Sequence, residues 1–207
     1  ELTPPSPSYD KRGLRGSYIL YVGSAYPHKN LERLVQAFEI LTTTLPPNPY
    51  TLILVGKHDY FYERLKRELQ NTPPPSPPYE GGDKGEVIFM GEVTDNELTQ
   101  LYRHAALVVC PALSEGFGLP ALEAAVHGAP LACSDIPVLK EMLGNETAFF
   151  FNPHDVHDMA RVLHEALTNV EARQQHIKNA RMRAQNFSWK KMAEETEAIY
   201  LAMSSRK

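Results

Sequence analysis

Ser114-Glu115-Gly116-Phe117-Gly118-Leu119-Pro120-Ala121-Leu122-Glu123 follows closely on an apolar, β-branched run, Leu107 to Cys110. The run has no polar alternation, as expected of a strand covered on both faces of a parallel sheet. Pro120 stands where the first turn of a helix begins, because its fixed φ suits that turn and its missing N–H is not needed there. The segment therefore reads as strand, loop, helix. Gly116 and Gly118 remove side chains where backbone amides would approach a ligand. The helix N-terminus adds unpaired N–H donors and a partial positive charge, which together make an anion site. Glu115 in the loop and Glu123 in the helix, eight residues apart, bracket it. Acids beside an anion site suit a ligand that also carries hydroxyls. A sugar nucleotide offers both, phosphates for the amides and sugar hydroxyls for the carboxylates.

Outward from this unit, five more apolar runs repeat the pattern: Tyr18 to Val22, Thr51 to Val55, Val87 to Met90, Leu131 to Cys133 and Ala148 to Phe151. Helical segments separate the runs, at Asn30 to Leu45, Tyr60 to Gln70, Asp95 to His104, Pro120 to His127 and Val138 to Leu143. In the first of these, Leu31, Leu34, Val35, Phe38 and Leu41 fall on one face at helical spacing. Strict alternation of strand and helix predicts right-handed βαβ crossovers and an α/β fold, a Rossmann-like doubly wound parallel sheet of about six strands. After Asn152 the chain turns wholly helical, over Asp155 to Thr168, Glu171 to Gln185 and Ser188 to Met203, with Ser188 placed as an N-cap. One nucleotide-binding domain is expected over residues 16–207. Thr72 to Gly85 (TPPPSPPYEGGDKG) reads as an inserted mobile surface loop, which closes at small entropic cost.

Composition narrows the class of partner. Apolar residues make up 43% and charged residues 22% of the 207, an ordinary globular balance. A net charge of −4 gives no case for nucleic acid. No apolar stretch approaches the roughly 20 residues of a membrane span. The first fifteen residues are polar and proline-rich without a signal-peptide core, so a cytoplasmic location is the default expectation. The two cysteines, Cys110 and Cys133, lie in apolar strands and read as buried free thiols, a bond between neighbouring strands being the alternative. The eight histidines are scattered without ligand spacing, so no metal site is expected.

Gly116-Phe-Gly118-Leu-Pro-Ala121 also fits a dinucleotide fingerprint, with Asp135 as the ribose acid. That fingerprint belongs in the turn after the first strand, whereas here the glycines follow the fourth. After the first strand comes Gly23-Ser-Ala-Tyr-Pro-His-Lys29. In a doubly wound sheet the loops at the carboxyl ends of the strands line the ligand crevice, so Lys29 and the Gly116–Leu119 loop are expected to meet there.

These segments together resemble the retaining GT-B glycosyltransferases of family 4, from about Tyr18 to the C-terminus. The hallmark E-x7-E is Glu115 to Glu123, and the P-x-K-N loop is Pro27 to Asn30. Leu54-Val55-Gly56, Phe89-Met90-Gly91 with Leu98 and Tyr102, Gly128-Ala129-Pro130, Ser134 through Glu141, Phe151-Asn152-Pro153 and Phe187-Ser188-Trp189 complete the likeness. The resemblance implies that Lys29 and Glu115 are catalytic. Lys29 neutralises the donor's diphosphate, and Glu115 takes a sugar hydroxyl. Gly23 and Ser24, the amides of Gly116, Phe117, Gly118 and Leu119, the ribose-holding Glu123, and the base-facing Phe89, Met90 and Gly91 bind the donor. Many relatives carry Arg where this chain has Ser24, which removes a second phosphate cation. The resemblance further implies a GDP- or UDP-sugar as donor substrate without a cofactor, with mannose favoured by the first loop. It makes residues 1–15 a linker from an N-terminal acceptor-binding domain, without which transfer is poor or nil. A non-catalytic nucleotide-sugar-binding module and a GT-B epimerase relative stay open as alternatives, as does peripheral membrane association of a longer enzyme.

Overall fold

A computed structural model describes residues 18–44, 50–71 and 85–204. The expected linker over residues 1–15 and the loop from Thr72 to Gly85, save Gly85 itself, lie outside the described residues. Six strands form one wholly parallel sheet: β1 (Tyr18–Val22), β2 (Thr51–Val55), β3 (Val87–Gly91), β4 (Leu107–Cys110), β5 (Leu131–Ser134) and β6 (Phe149–Phe151). Their spatial order is β3-β2-β1-β4-β5-β6. The intervening helices are α1 (Leu31–Thr44), α2 (Tyr60–Asn71), α3 (Asp95–His104), α4 (Leu119–His127) and α5 (Pro137–Leu143). A helical tail follows as α6 (Val156–Thr168), α7 (Val170–Ala184) and α8 (Trp189–Ser204). The chain is thus a Rossmann-like α/β domain, as the alternation of runs predicts.

The period of two along each strand sorts side chains into two cores. Ile19, Tyr21, Leu52 and Val109 point to one face, where Leu34, Phe38, Tyr62 and Leu163 of α1, α2 and α6 cover them. Tyr18, Leu20, Ile53 and Val108 point to the other, under Leu101, Ala121, Leu139 and Ala180 of α3, α4, α5 and α7. Burial on both faces is why these strands read as unbroken apolar runs. Cys110 and Cys133 are free, buried and directly paired in register across β4 and β5.

Where element ends differ from the sequence reading they do so by one residue, and two of these shifts have clear causes. Asn30 adopts a left-handed conformation (φ 62°), so α1 starts after it, preceded by an unexpected 3-10 turn over Pro27–Lys29. Gly118, also left-handed (φ 90°), caps α4, which therefore begins at Leu119 and puts Pro120 in its first turn. The expected cap of α8 is present, with Ser188 Oγ accepting from the Lys191 amide at 3.1 Å. Among the described residues no helix is long and apolar enough to cross a membrane.

The start of the first loop is pressed against the end of β2. A Cβ on Gly56 would stand 2.0 Å from the Gly23 carbonyl oxygen and 2.7 Å from the Tyr62 hydroxyl. Gly56→Ala is accordingly expected to lower stability by roughly 1–3 kcal/mol, the usual cost of overpacking against backbone. Equilibrium denaturation checks this, and an unchanged midpoint would contradict the packing described.

Candidate functional site

β1 and β4 are neighbours, but the chain leaves them in opposite directions, β1 through α1 to β2 and β4 through α4 to β5. The loops that leave them therefore turn to opposite faces of the sheet at this switch point, the place where such sheets bind ligands. Two loops flank it, Gly23 to Asn30 after β1 and Pro111 to Gly118 after β4.

The first loop is fixed at both ends. The Gly23 amide donates to Val55 O at 2.9 Å, and the Tyr62 hydroxyl donates to Gly23 O at 2.9 Å. The Tyr21 hydroxyl donates to Ser24 O at 2.6 Å. Both phenols are buried, and burial pushes their pKa values far above the ordinary tyrosine range, so they act as fixed donors. At the other end, the Asn30 side-chain amide donates to Pro111 O at 3.0 Å and to Pro153 O at 2.8 Å. The Leu113 amide donates to His28 O at 2.7 Å. The loops after β1, β4 and β6 are therefore bonded to one another.

This clamp brings Lys29 onto Glu115. Nζ and Oε1 are 2.7 Å apart, 86 residues apart in sequence, with side chains only 19% and 15% exposed. The glycines beside them have different reasons. Gly118 needs its left-handed backbone, and a Cβ there would strike Leu139 Cδ2 at 2.5 Å. Gly116 faces open space, with nothing within 4 Å of where a Cβ would be, so packing within the protein does not require glycine there. Phe117 meets Phe187 edge to face at 5.7 Å, and both Phe117 and Leu119 are exposed.

Glu123 lies on the exposed side of α4, where its Oε2 accepts from the Tyr102 hydroxyl at 2.9 Å. Tyr102 is buried and stacks on the His127 ring at 5.7 Å. Burial first, then the Glu123 charge, raises its pKa far above the usual range, so it remains a donor. Phe89, Met90 and Gly91 end β3 on the same sheet edge, two strands from β1. Phe89 packs edge to face on Tyr62 at 6.1 Å, and Gly91 O accepts from the Gly56 amide. Asp135, the acid of the dinucleotide reading, directly follows β5 and is ion-paired with Lys140 at 2.7 Å.

The sequence reading gives Tyr21, Asn30, Tyr62 and Tyr102 no role in the site. A tyrosine within an apolar run is itself a signal, since a buried hydroxyl has to find a partner. Asn before a helix after a Pro-x-Lys turn is another, because Asn tolerates the left-handed conformation better than other non-glycine residues.

The sequence model of the family described as glycosyl transferases group 1 matches residues 11–183. The chain is 37% identical over 181 residues to the serotype-specific mannosyltransferase WbdA of Escherichia coli, covering 87% of this chain and 21% of that protein. It is 30% identical over 183 residues to O-antigen chain mannosyltransferase B of Escherichia coli, covering 88% of this chain and 45% of that one. It thus spans from about a fifth to less than half of these relatives' length. Among solved structures it resembles a sucrose-phosphate synthase from Thermosynechococcus elongatus, with TM-score 0.77 and 26% identity, over 96% of this chain and 48% of that chain.

Asn30→Ala removes two donors from buried carbonyls, each worth roughly 1–3 kcal/mol when orphaned. Asn30→Gly keeps the left-handed backbone free of strain but also lacks the amide. Both variants are expected to unfold at clearly lower denaturant than the parent. A stable Asn30→Gly would mean that backbone conformation, not the amide, is what the position supplies.

Proposed function

The chain belongs to the glycosyl transferases group 1 family, and we propose that it is the nucleotide-sugar-binding domain of a retaining hexosyltransferase. The observation that carries this reading is the meeting of Lys29 and Glu115 at the switch point, beside the open backbone of Gly116 and the N-terminus of α4. A cation and free amides suit a diphosphate, while a carboxylate within reach suits the hydroxyls of the sugar it carries.

In the proposed complex the donor's diphosphate lies between Lys29 and the amides of Gly116 to Leu119. As the glycosidic bond breaks, negative charge builds on the leaving phosphate. Lys29 and the oriented amides stabilise that charge without having to reorganise. Ser24, held by Tyr21 through its carbonyl, stands where many relatives have a second cation, so Lys29 carries more of the charge here. Glu115 accepts from a sugar hydroxyl and Glu123 from the ribose. The Tyr102 hydroxyl occupies one oxygen of Glu123 and leaves the other to the ligand. The backbone of Phe89 to Gly91 faces the base.

Two relatives named as mannosyltransferases, together with the Pro27-His28-Lys29-Asn30 loop, favour GDP-mannose over UDP-sugars. The acceptor, a glycan, a lipid or another alcohol, is held by a further domain. The coverage of about half of a solved synthase of this fold, 48%, supports that division. On this reading the domain binds donor alone but transfers sugar poorly without its partner domain.

Lys29→Ala is expected to weaken binding of GDP or UDP by roughly 1.5–3 kcal/mol, the value of a charge-assisted hydrogen bond, without loss of fold. Calorimetric titration decides this, and unchanged affinity in a folded variant would sink the reading. Glu123→Gln is expected to weaken the diphosphate and its sugar conjugate alike, but not a 2′,3′-dideoxy analogue. Tyr102→Phe should give a smaller loss of the same kind that does not add to that of Glu123→Gln, since the two act through one contact. Binding of NAD that is lost on Asp135→Asn, with sugar nucleotides ignored, would overturn the assignment in favour of a dinucleotide site.

A further inference from the structure

Lys29 is proposed to serve the phosphate, and Glu115 the sugar, yet the two also reach each other, at 2.7 Å. Resting on the donor-site reading, we propose that Glu115 is also the release element of the site: it reclaims Lys29 once the sugar has left, and so favours the loaded donor over the spent nucleoside diphosphate.

The geometry for this is built in. Lys29 ends the 3-10 turn whose His28 carbonyl is bonded to the Leu113 amide at 2.7 Å. The next residue, Asn30, is bonded to Pro111 O. Glu115 lies two residues beyond Leu113, so the backbone already holds both side chains in reach. Re-forming the pair asks only for side-chain rotation.

The chemistry supplies the direction. Glu115 is 15% exposed, and a carboxylate taken that far from water needs a donor. In the structure that donor is Lys29. With the sugar nucleotide bound, sugar hydroxyls donate to Glu115 and Lys29 is free to serve the diphosphate. With the bare diphosphate bound, two anions compete for one ammonium, and the carboxylate has lost its hydroxyl partners. Like charges that share a cation at short range penalise one another. The complex most weakened is therefore the one that has to dissociate after transfer. Glutamine at position 115 keeps the shape and can still bond a hydroxyl, but it makes no claim on the lysine charge.

The test is calorimetric titration of GDP, UDP, GDP-mannose and UDP-glucose into the parent chain, Glu115→Gln, Glu115→Ala, Lys29→Ala and the double variant Lys29→Ala/Glu115→Gln. Each melting curve is recorded to verify folding. The expected result is that Glu115→Gln and Glu115→Ala bind the bare diphosphate about three- to tenfold more tightly than the parent. They should bind the sugar conjugate no better, so the preference for conjugate over diphosphate falls. In the Lys29→Ala background the same change should bring little tightening, because there is no lysine to release. Unchanged or weaker diphosphate binding in both position-115 variants, with Lys29→Ala still harmful, would overturn the release role and leave the donor-site reading standing. Full tightening in the Lys29→Ala background would reduce the effect to direct repulsion and also overturn recapture of the lysine. Failure of the parent to bind any of the four ligands, or indifference to Lys29→Ala, would overturn the donor-site reading and the release role with it.

Discussion

The side-chain amide of Asn30 joins three loops, reaching a carbonyl 123 residues away in sequence. Its two hydrogens go to the carbonyls of Pro111 and Pro153, the first in the loop after β4 and the second just beyond β6. Its oxygen accepts from Arg33 on the following helix at 2.9 Å. Its left-handed backbone ends the 3-10 turn and sets the direction of α1. Prolines follow the strand at both accepting positions, and the carbonyls they offer are buried. Such groups are costly to leave unpaired, so the amide is held as firmly as it holds. The position of Lys29, one residue earlier, follows from this bond.

Charge at the switch point depends on that mechanical clamp. A lysine at a helix start is ordinarily a solvated surface group. Here the loop contacts turn it toward the β4 loop, where it is mostly covered and meets a carboxylate that is mostly covered too. Around the pair the fixed donors are phenols rather than charged groups. Tyr21 and Tyr62 hold the Gly23–Ser24 backbone, and Tyr102 holds Glu123. Burial keeps all three protonated across the ordinary pH range. These donors are therefore uncharged, and the charge around them is that of Lys29, Glu115 and Glu123.

Much of this was legible in the residues. Two-faced apolar runs such as Leu107 to Cys110 announce parallel strands, and their alternation with helices leaves few topologies open. Glu115, Glu123 and the two glycines between them set the β4–α4 turn apart from the other loops. Reading alone went less far with the glycines' separate reasons. Gly116 and Gly118 look alike in sequence, but only Gly118 is required by its own backbone and by Leu139. Local propensity starts α1 one residue early, because it does not reveal that Asn30 is held in a left-handed conformation with partners on other loops.

The sequence by itself determined the class of fold, the alternation of strands and helices, and which acids and glycines stand at the β4–α4 turn. Those properties depend on periodicity and on turn residues, which are local. The tertiary structure alone decided that Lys29 and Glu115 share an ion pair, that Tyr102 orients Glu123, and that Asn30 closes the loops. Each of these contacts except the Tyr102 bond joins residues more than eighty positions apart. Their existence depends on which strands become neighbours and in what register, and on how burial strips water from groups that must then pair with one another.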